Sequence, residues 1–249
     1  MRIRNAVLPA LVAALVGVAL VLPGQMPADN DVATESPIRN TDKARSPRAI
    51  VVGAGISGLT TALELGRGGA EVTVVDMSSV FGGHAVMSQG GVSVIDTPLQ
   101  RESGILDNAD MANGDFLKWG EDADPEWVTY YVNNSRRDIY EWLTDLGVRF
   151  EGVLPAPGNS VDRFHQPAGR GIGLVTPLYR ECLKQKRIRF LWNVQAIRLL
   201  QRRHRVTGVR LRNLRTNSEQ SLHADAVVLA TGGYGRAYFS ATSAHTCPP

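Results

Sequence analysis

At 249 residues with 43% hydrophobic side chains, the chain is long enough for one large domain or two small ones built around a real core. A net charge of +3 is too small by itself to imply a polyanionic partner. The two cysteines, Cys182 and Cys247, lie far apart and in no ligand-spaced cluster, so neither a disulfide framework nor a metal site is expected.

The chain opens MRIRNAVLPALVAALVGVALVLPGQMPA, with Arg2 and Arg4 ahead of an apolar run from Ala6 to Leu22. A charged start followed by an apolar core reads, over residues 1–23, as a secretory signal or an uncleaved membrane anchor. Either implies an exported (periplasmic or extracytoplasmic) or membrane-anchored protein. The run sits at the short limit for crossing a bilayer, and a buried core helix is the competing reading. Residues 24–48 are polar and rich in Pro, Asp, Asn, Ser and Thr. They cannot bury enough apolar surface to offset chain entropy and read as a disordered linker. The folded domain is expected over 49–249.

AIVVGAGISGLTTALELGRGGAEVTVVD (49–76) reads as strand, turn, helix and second strand. Ala49–Val52 is a short apolar run bounded by glycine, Ser57–Leu65 has helical spacing, and 71–75 is β-branched. The turn carries Gly53-Ala-Gly55-Ile-Ser57-Gly58, and Asp76 ends the second strand. In that context GxGxxG is the dinucleotide fingerprint. Gly53 makes the tight turn, Gly55 lets a pyrophosphate approach the backbone, and Gly58 lets the helix pack on the strand. The helix N-terminus stabilises the phosphates, and Asp76 accepts hydrogen bonds from the adenosine ribose. Both NAD and FAD fit this reading.

A second glycine-rich stretch, GGHAVMSQGG (82–91), follows at once, then a polar segment to about residue 122. Helices are expected within 122–148, with Asp124 as cap, Pro125 in the first turn and Gly147 as stop, and again over 173–185. Segments 188–193, 196–200, 206–214 and 226–230 read as strands. The last, AVVLA, is an unbroken apolar run and is expected to be central in its sheet. Arg198, Arg202, Arg203, Arg205, Arg210, Arg212 and Arg215 cluster on or beside these strands. Without interleaved aromatic residues they read as the solvated face of an antiparallel meander, not as a nucleic-acid surface.

VVGAGISGL, GGHAVMSQGG, ADAVVLATGGYGR and YFSATSAHT together resemble the flavoprotein subunit family of succinate dehydrogenase and fumarate reductase. The resemblance implies an α/β fold, a Rossmann-like FAD-binding domain with a parallel sheet and an antiparallel β-meander. It also implies hydride transfer between FAD and a substrate of dicarboxylate or enone type, with an electron-transfer partner that the sequence does not name. It implies that Gly82, Gly83, Gly90 and Gly91 line the flavin end, that Ala196 meets the adenine, and that Thr231, Gly232 and Gly233 close a turn on the cofactor. His84 stands six positions before Gly90, where membrane-bound members carry FAD covalently on histidine. The Gly82-Gly83 pair before it is instead similar to the soluble branch, which holds FAD non-covalently, so covalent attachment through His84 stays open. His165, in DRFHQPAGRGIG, is either a residue near the active centre or an ordinary core or surface histidine. The family's substrate-binding residues lie beyond the ATGG strand, and no catalytic residue is assigned. The ending TSAHTCPP reads as a truncation, which leaves a catalytically incomplete FAD-binding fragment as one alternative and a nicotinamide-dependent Rossmann protein as another.

Overall fold

The computed structural model of the chain describes residues 45–233. The apolar N-terminal run, most of the expected linker, YFSATSAHT and Cys247 lie outside them. Among the described residues no helix is long and apolar enough to cross a membrane.

The first unit is the expected one. β1 (Arg48–Val52), α1 (Ile56–Arg67) and β2 (Glu71–Asp76) form a βαβ unit in which Arg48 pairs with Glu71 and Val52 with Val75, parallel. β1 and β2 alternate their faces. Val51, Val72 and Val74 point to one side, where Leu59 and Leu63 of α1 and Leu174, Val175 and Leu178 of α6 (Arg170–Lys184) cover them. Ile50, Val52 and Val75 point to the other, onto Val194, Val209 and Leu211. Those three belong to the antiparallel meander β7 (Val194–Arg202), β8 (Arg205–Asn213) and β9 (Glu219–His223). The result is three layers: helices, parallel sheet, meander.

The parallel sheet has the order β10-β1-β2-β6, with β6 at Ile188–Trp192 and β10 at Ala226–Leu229. This corrects the expectation for AVVLA. Among the described residues β10 is an edge strand paired only with β1. Its unbroken apolar run has a different cause, because Val228 packs on the helix side and Val227 on the meander side. Apolarity on both faces reports cover above and below, not a neighbour on each edge.

The segment between the two glycine-rich motifs and α6 is richer than its polarity suggests. It holds β3 (Val92–Ser93), α2 (Pro98–Glu102), α3 (Ala109–Trp119), α4 (Pro125–Ser135), a π-helical turn (Arg136–Glu141), α5 (Trp142–Asp145), β4 (Phe150–Leu154) and β5 (Phe164–Pro167). Asp124 caps α4 by accepting from the Glu126 and Trp127 N–H groups, with Pro125 next, as expected. Gly147 ends the helical stretch at φ +92°. A small antiparallel sheet, β3-β5-β4, packs beside α6.

This segment is tied together by buried polar groups. Arg163 is fully buried and binds both oxygens of the equally buried Asp107, at 2.8 Å each, and also Asp115. Desolvation opposes the charge on Arg163, but its two carboxylate partners outweigh that and raise its pKa. Burial would raise the Asp115 pKa, yet hydrogen bonds from Ser160 and Arg163 hold it below the ordinary range.

Candidate functional site

The turn after β1 uses its three glycines for three different purposes. Gly53 takes φ +109° and donates its N–H to the Val75 carbonyl at 2.8 Å. A Cβ there would lie 2.2 Å from the Ala230 carbonyl oxygen, so the residue after β10 closes directly on this turn. A Cβ on Gly58 would lie 1.9 Å from the Gly53 oxygen, which makes glycine the condition for α1 packing on the turn. Gly55 is different: its φ is −74°, and a Cβ would meet nothing nearer than the Gly82 oxygen at 4.0 Å. Its open side faces a cleft.

That cleft holds about 340 Å³ at the carboxyl ends of β1 and β10. Gly55, Ile56, Ser57 and Thr61 line one side, Gly82, His84 and Ala85 a second, and Val228–Gly232 a third. α1 points its N-terminus here. No side chain caps it and no acidic residue sits in its first turn. A helix start without a cap presents orphan N–H donors and the positive end of the helix dipole. The donor set suits phosphate oxygens and thus fits the pyrophosphate of a dinucleotide.

Asp76 does more than its position suggests. Its Oδ2 accepts the Ala54 N–H at 2.6 Å and its Oδ1 the Ser78 N–H at 2.7 Å. One carboxylate therefore clamps the glycine turn to the chain leaving β2. Each oxygen keeps a lone pair for a further donor such as a sugar hydroxyl. The backbone continues the clamp, with the Gly82 N–H donating to the Ala54 carbonyl at 2.7 Å. Gly82 has φ +102°, and a Cβ would strike Val86 Cγ1 at 2.3 Å.

His84 lies in a 3₁₀ turn, Gly83–Met87, exposed and lining the cleft. Gly83 stands beside it, and Thr231 and Gly232 border the cleft from the opposite side, with Gly233 next in the chain. Two expected groups stay out of the cleft lining. A Cβ on Gly90 would lie 2.6 Å from the Gly171 nitrogen, and one on Gly91 would lie 1.9 Å from the Phe164 ring. Gly90 thus answers the backbone at the start of α6, and Gly91 lies in close contact with the Phe164 side chain. Ala196 sits in β7, partly buried against the meander-side core.

His165 is fully buried in β5, in edge contact with the stacked rings of Tyr140 and Phe150. Its Nδ1–H donates to the Arg163 carbonyl at 2.7 Å, which leaves Nε2 to accept from the Thr97 hydroxyl at 2.7 Å. Burial lowers its pKa and keeps it neutral. It is a core histidine away from the cleft. The sequence reading missed the Asp76 clamp and the Arg163–Asp107–Asp115 network. The clamp could have been suspected because a strand-end carboxylate stands next to a glycine turn with free amides. The network carries no local signal, because its members are 48 and 56 residues apart in the chain.

Residues 48–248 match the family described as FAD binding domain. The chain is 31% identical over 212 residues to the NADH:fumarate oxidoreductase of Klebsiella pneumoniae, covering 82% of this chain and 22% of that protein. It is 32% identical over 218 residues to a KsdD-like steroid dehydrogenase of Mycobacterium tuberculosis, covering 75% of this chain and 38% of that one. Among solved structures, the open conformation of a flavocytochrome c3 fumarate reductase superposes with a TM-score of 0.69 at 30% identity, covering 77% of this chain and 34% of that one. The chain thus spans well under half the length of these relatives.

Proposed function

Because the chain belongs to the FAD binding domain family, we propose that it is the FAD-holding portion of an oxidoreductase of the fumarate reductase, succinate dehydrogenase or steroid dehydrogenase kind. One observation carries the reading: the uncapped N-terminus of α1 opens on a cleft at the open side of Gly55. When bound, FAD supplies hydride exchange between its flavin and a carbon next to a carboxylate or carbonyl. The chain's own residues bind and orient it. The first-turn amides of α1 and the Ser57 hydroxyl hold the pyrophosphate between Gly53, Gly55 and Gly58. Asp76 accepts the ribose hydroxyls through the lone pairs its clamp leaves free. Gly82, Gly83 and His84 on one wall and Thr231, Gly232 and Gly233 on the other border the flavin.

The relatives' names support a dicarboxylate or an enone as substrate, with carboxylate or carbonyl activation common to both. A charged start ahead of an apolar run supports export or membrane anchoring by the N-terminus. A second reading, an FAD binder without turnover, is favoured by one feature: His84 is the only titratable side chain lining the cleft among the described residues.

The test is made on the purified full chain. A flavin absorbance spectrum is expected, and its absence after reconstitution with FAD would overturn the proposal in favour of a nicotinamide protein. Acid precipitation then shows whether the colour stays with the polypeptide, and His84→Ala shows whether this residue holds it there. Turnover of fumarate or of a steroid enone with a reduced dye separates the enzyme from the binder.

A further inference from the structure

A second and larger cleft, about 390 Å³, lies at the other end of the same strands. The parallel register places Arg48, Glu71, Arg187 and Asp225 at one level, where β1, β2, β6 and β10 begin. Arg48, Lys186, Arg187 and Arg189 line this cleft, all exposed, with Glu71 the only carboxylate in its wall among the described residues. None of the four makes an ion pair among the described residues. Arg189 is held by its Nε to the Thr73 hydroxyl at 2.8 Å, and Arg187 by Nη1 to Ser46 at 3.0 Å. Each guanidinium therefore keeps donors free.

The meander extends the charge in the same direction. The Ala224 N–H donates to the Thr207 carbonyl, which sets β8 level with the start of β10. Two residues further on, the β7–β8 hairpin turns at Arg202-Arg203-His204-Arg205, all exposed. Here too no ion pair forms among the described residues, whereas Arg210 and Arg212 are bridged by Glu219. The two turn residues, Arg203 and His204, take φ +45° and +62°. That left-handed pair normally calls for Asn-Gly, so a guanidinium and an imidazole stand where the backbone would favour small residues.

Among the described residues nothing aromatic interrupts this basic face, and it is the face at which residue 45 enters the fold. Upstream, the roughly twenty residues between Leu22 and Arg45 span at most about 75 Å, so the apolar run from Ala6 to Leu22 lies within that reach of the basic face. We propose that the basic face rests on an anionic lipid surface, with the cofactor cleft turned away from it at the opposite ends of the strands. Charge complementarity and the point of chain entry both select a membrane as the occupant. Arg48, Lys186, Arg187 and Arg189 would meet the lipid phosphates together with the hairpin tip.

The experiment uses the full chain with two vesicle preparations, phosphatidylcholine alone and phosphatidylcholine with about 30% phosphatidylglycerol, a fraction high enough to give a negative surface potential. A water-soluble amine-acylating reagent is added and modification of single lysines is read by mass spectrometry. Attachment through the apolar run would occur on both vesicles, so it cannot by itself produce the expected difference. Lys186 acylation is expected to fall at least fivefold on the anionic vesicles relative to the neutral ones. Lys118, exposed on α3, serves as the internal control and is expected to be unchanged. High salt and the variant R202E/R203E/R205E are each expected to abolish the protection. Equal acylation of Lys186 on the two vesicles, whether the chain is bound or free, would overturn the proposal. So would protection that survives both the salt and the charge reversal.

Discussion

Alanine at Gly58 and at Gly55 separates what the turn needs for folding from what it needs for its ligand. At Gly58 the new Cβ would sit 1.9 Å from the Gly53 oxygen and 2.9 Å from its carbon, both backbone atoms that cannot rotate away. Alanine inside a helix is favoured over glycine by about 1 kcal/mol. Over-packing against a fixed neighbour costs about 1–3 kcal/mol, and an approach this close belongs at or above the upper end. The net expectation is a loss of about 2 kcal/mol. Gly55→Ala has no such neighbour, since its nearest contact is at 4.0 Å and its φ of −74° suits any residue. Its fold should hold within about 0.5 kcal/mol, while the methyl enters the space proposed for the pyrophosphate. Urea denaturation with and without FAD reads both effects. Saturating ligand at 100 times its Kd adds about 2.7 kcal/mol to the stability of a binder. Wild type should show that gain and Gly55→Ala should lose most of it, whereas Gly58→Ala should start from a lower midpoint without ligand. If Gly55→Ala unfolds as easily as Gly58→Ala, or keeps the full FAD gain, the division of roles is wrong.

Arg163→Met leaves the fully buried Asp107 without its cationic partner, and a loss of about 3–5 kcal/mol is expected in urea. Adding Asp107→Asn should recover part of it, and a double-mutant cycle measures how much. His165 has its pKa lowered by burial, so the stability it contributes is fully present above its unfolded value and falls as the pH drops through the folded one. The urea midpoint should therefore decline on acidification from pH 7.5 to 5, and His165→Asn should flatten that slope. Tyr131 donates to the Ser93 carbonyl at 2.5 Å, and burial pushes its phenol up to about 12. A native ultraviolet titration should show an ionisation near pH 12 that Tyr131→Phe removes. The stability it adds should be present below pH 10 and be lost as the pH rises toward 12.

The parts of this fold that were legible in the sequence are those where one local pattern has one physical cause. GAGISG between two apolar runs admits few structures, because a strand that turns straight into a helix needs Gly58 where α1 packs on the Gly53 carbonyl of the same βαβ unit. Asp124-Pro125 announces a helix start for the same reason. Legibility ended where a residue answers a distant element. AVVLA is apolar on both faces, and periodicity cannot tell cover from edge pairing, so its place at the sheet edge among the described residues was missed. Gly90 and Gly91 read as ligand glycines, and each also meets a contact within the chain, at the start of α6 and at Phe164, that no window of sequence displays. β3, β4 and β5 are short and partly exposed, and they are held by Arg163 and His165, whose burial no window of sequence displays.

The Asp76 clamp bears on how a ligand would be received. Its carboxylate joins the Ala54 and Ser78 amides, and Gly82 is bonded to Ala54, so the two loops are held to each other by bonds within the chain. Ties of this kind restrict the cleft walls and lower the entropy that binding must supply to order them. Loss of the clamp would show as a walled site that must first be assembled, with weaker apparent affinity and slower entry, even though the ligand's own contacts were unchanged.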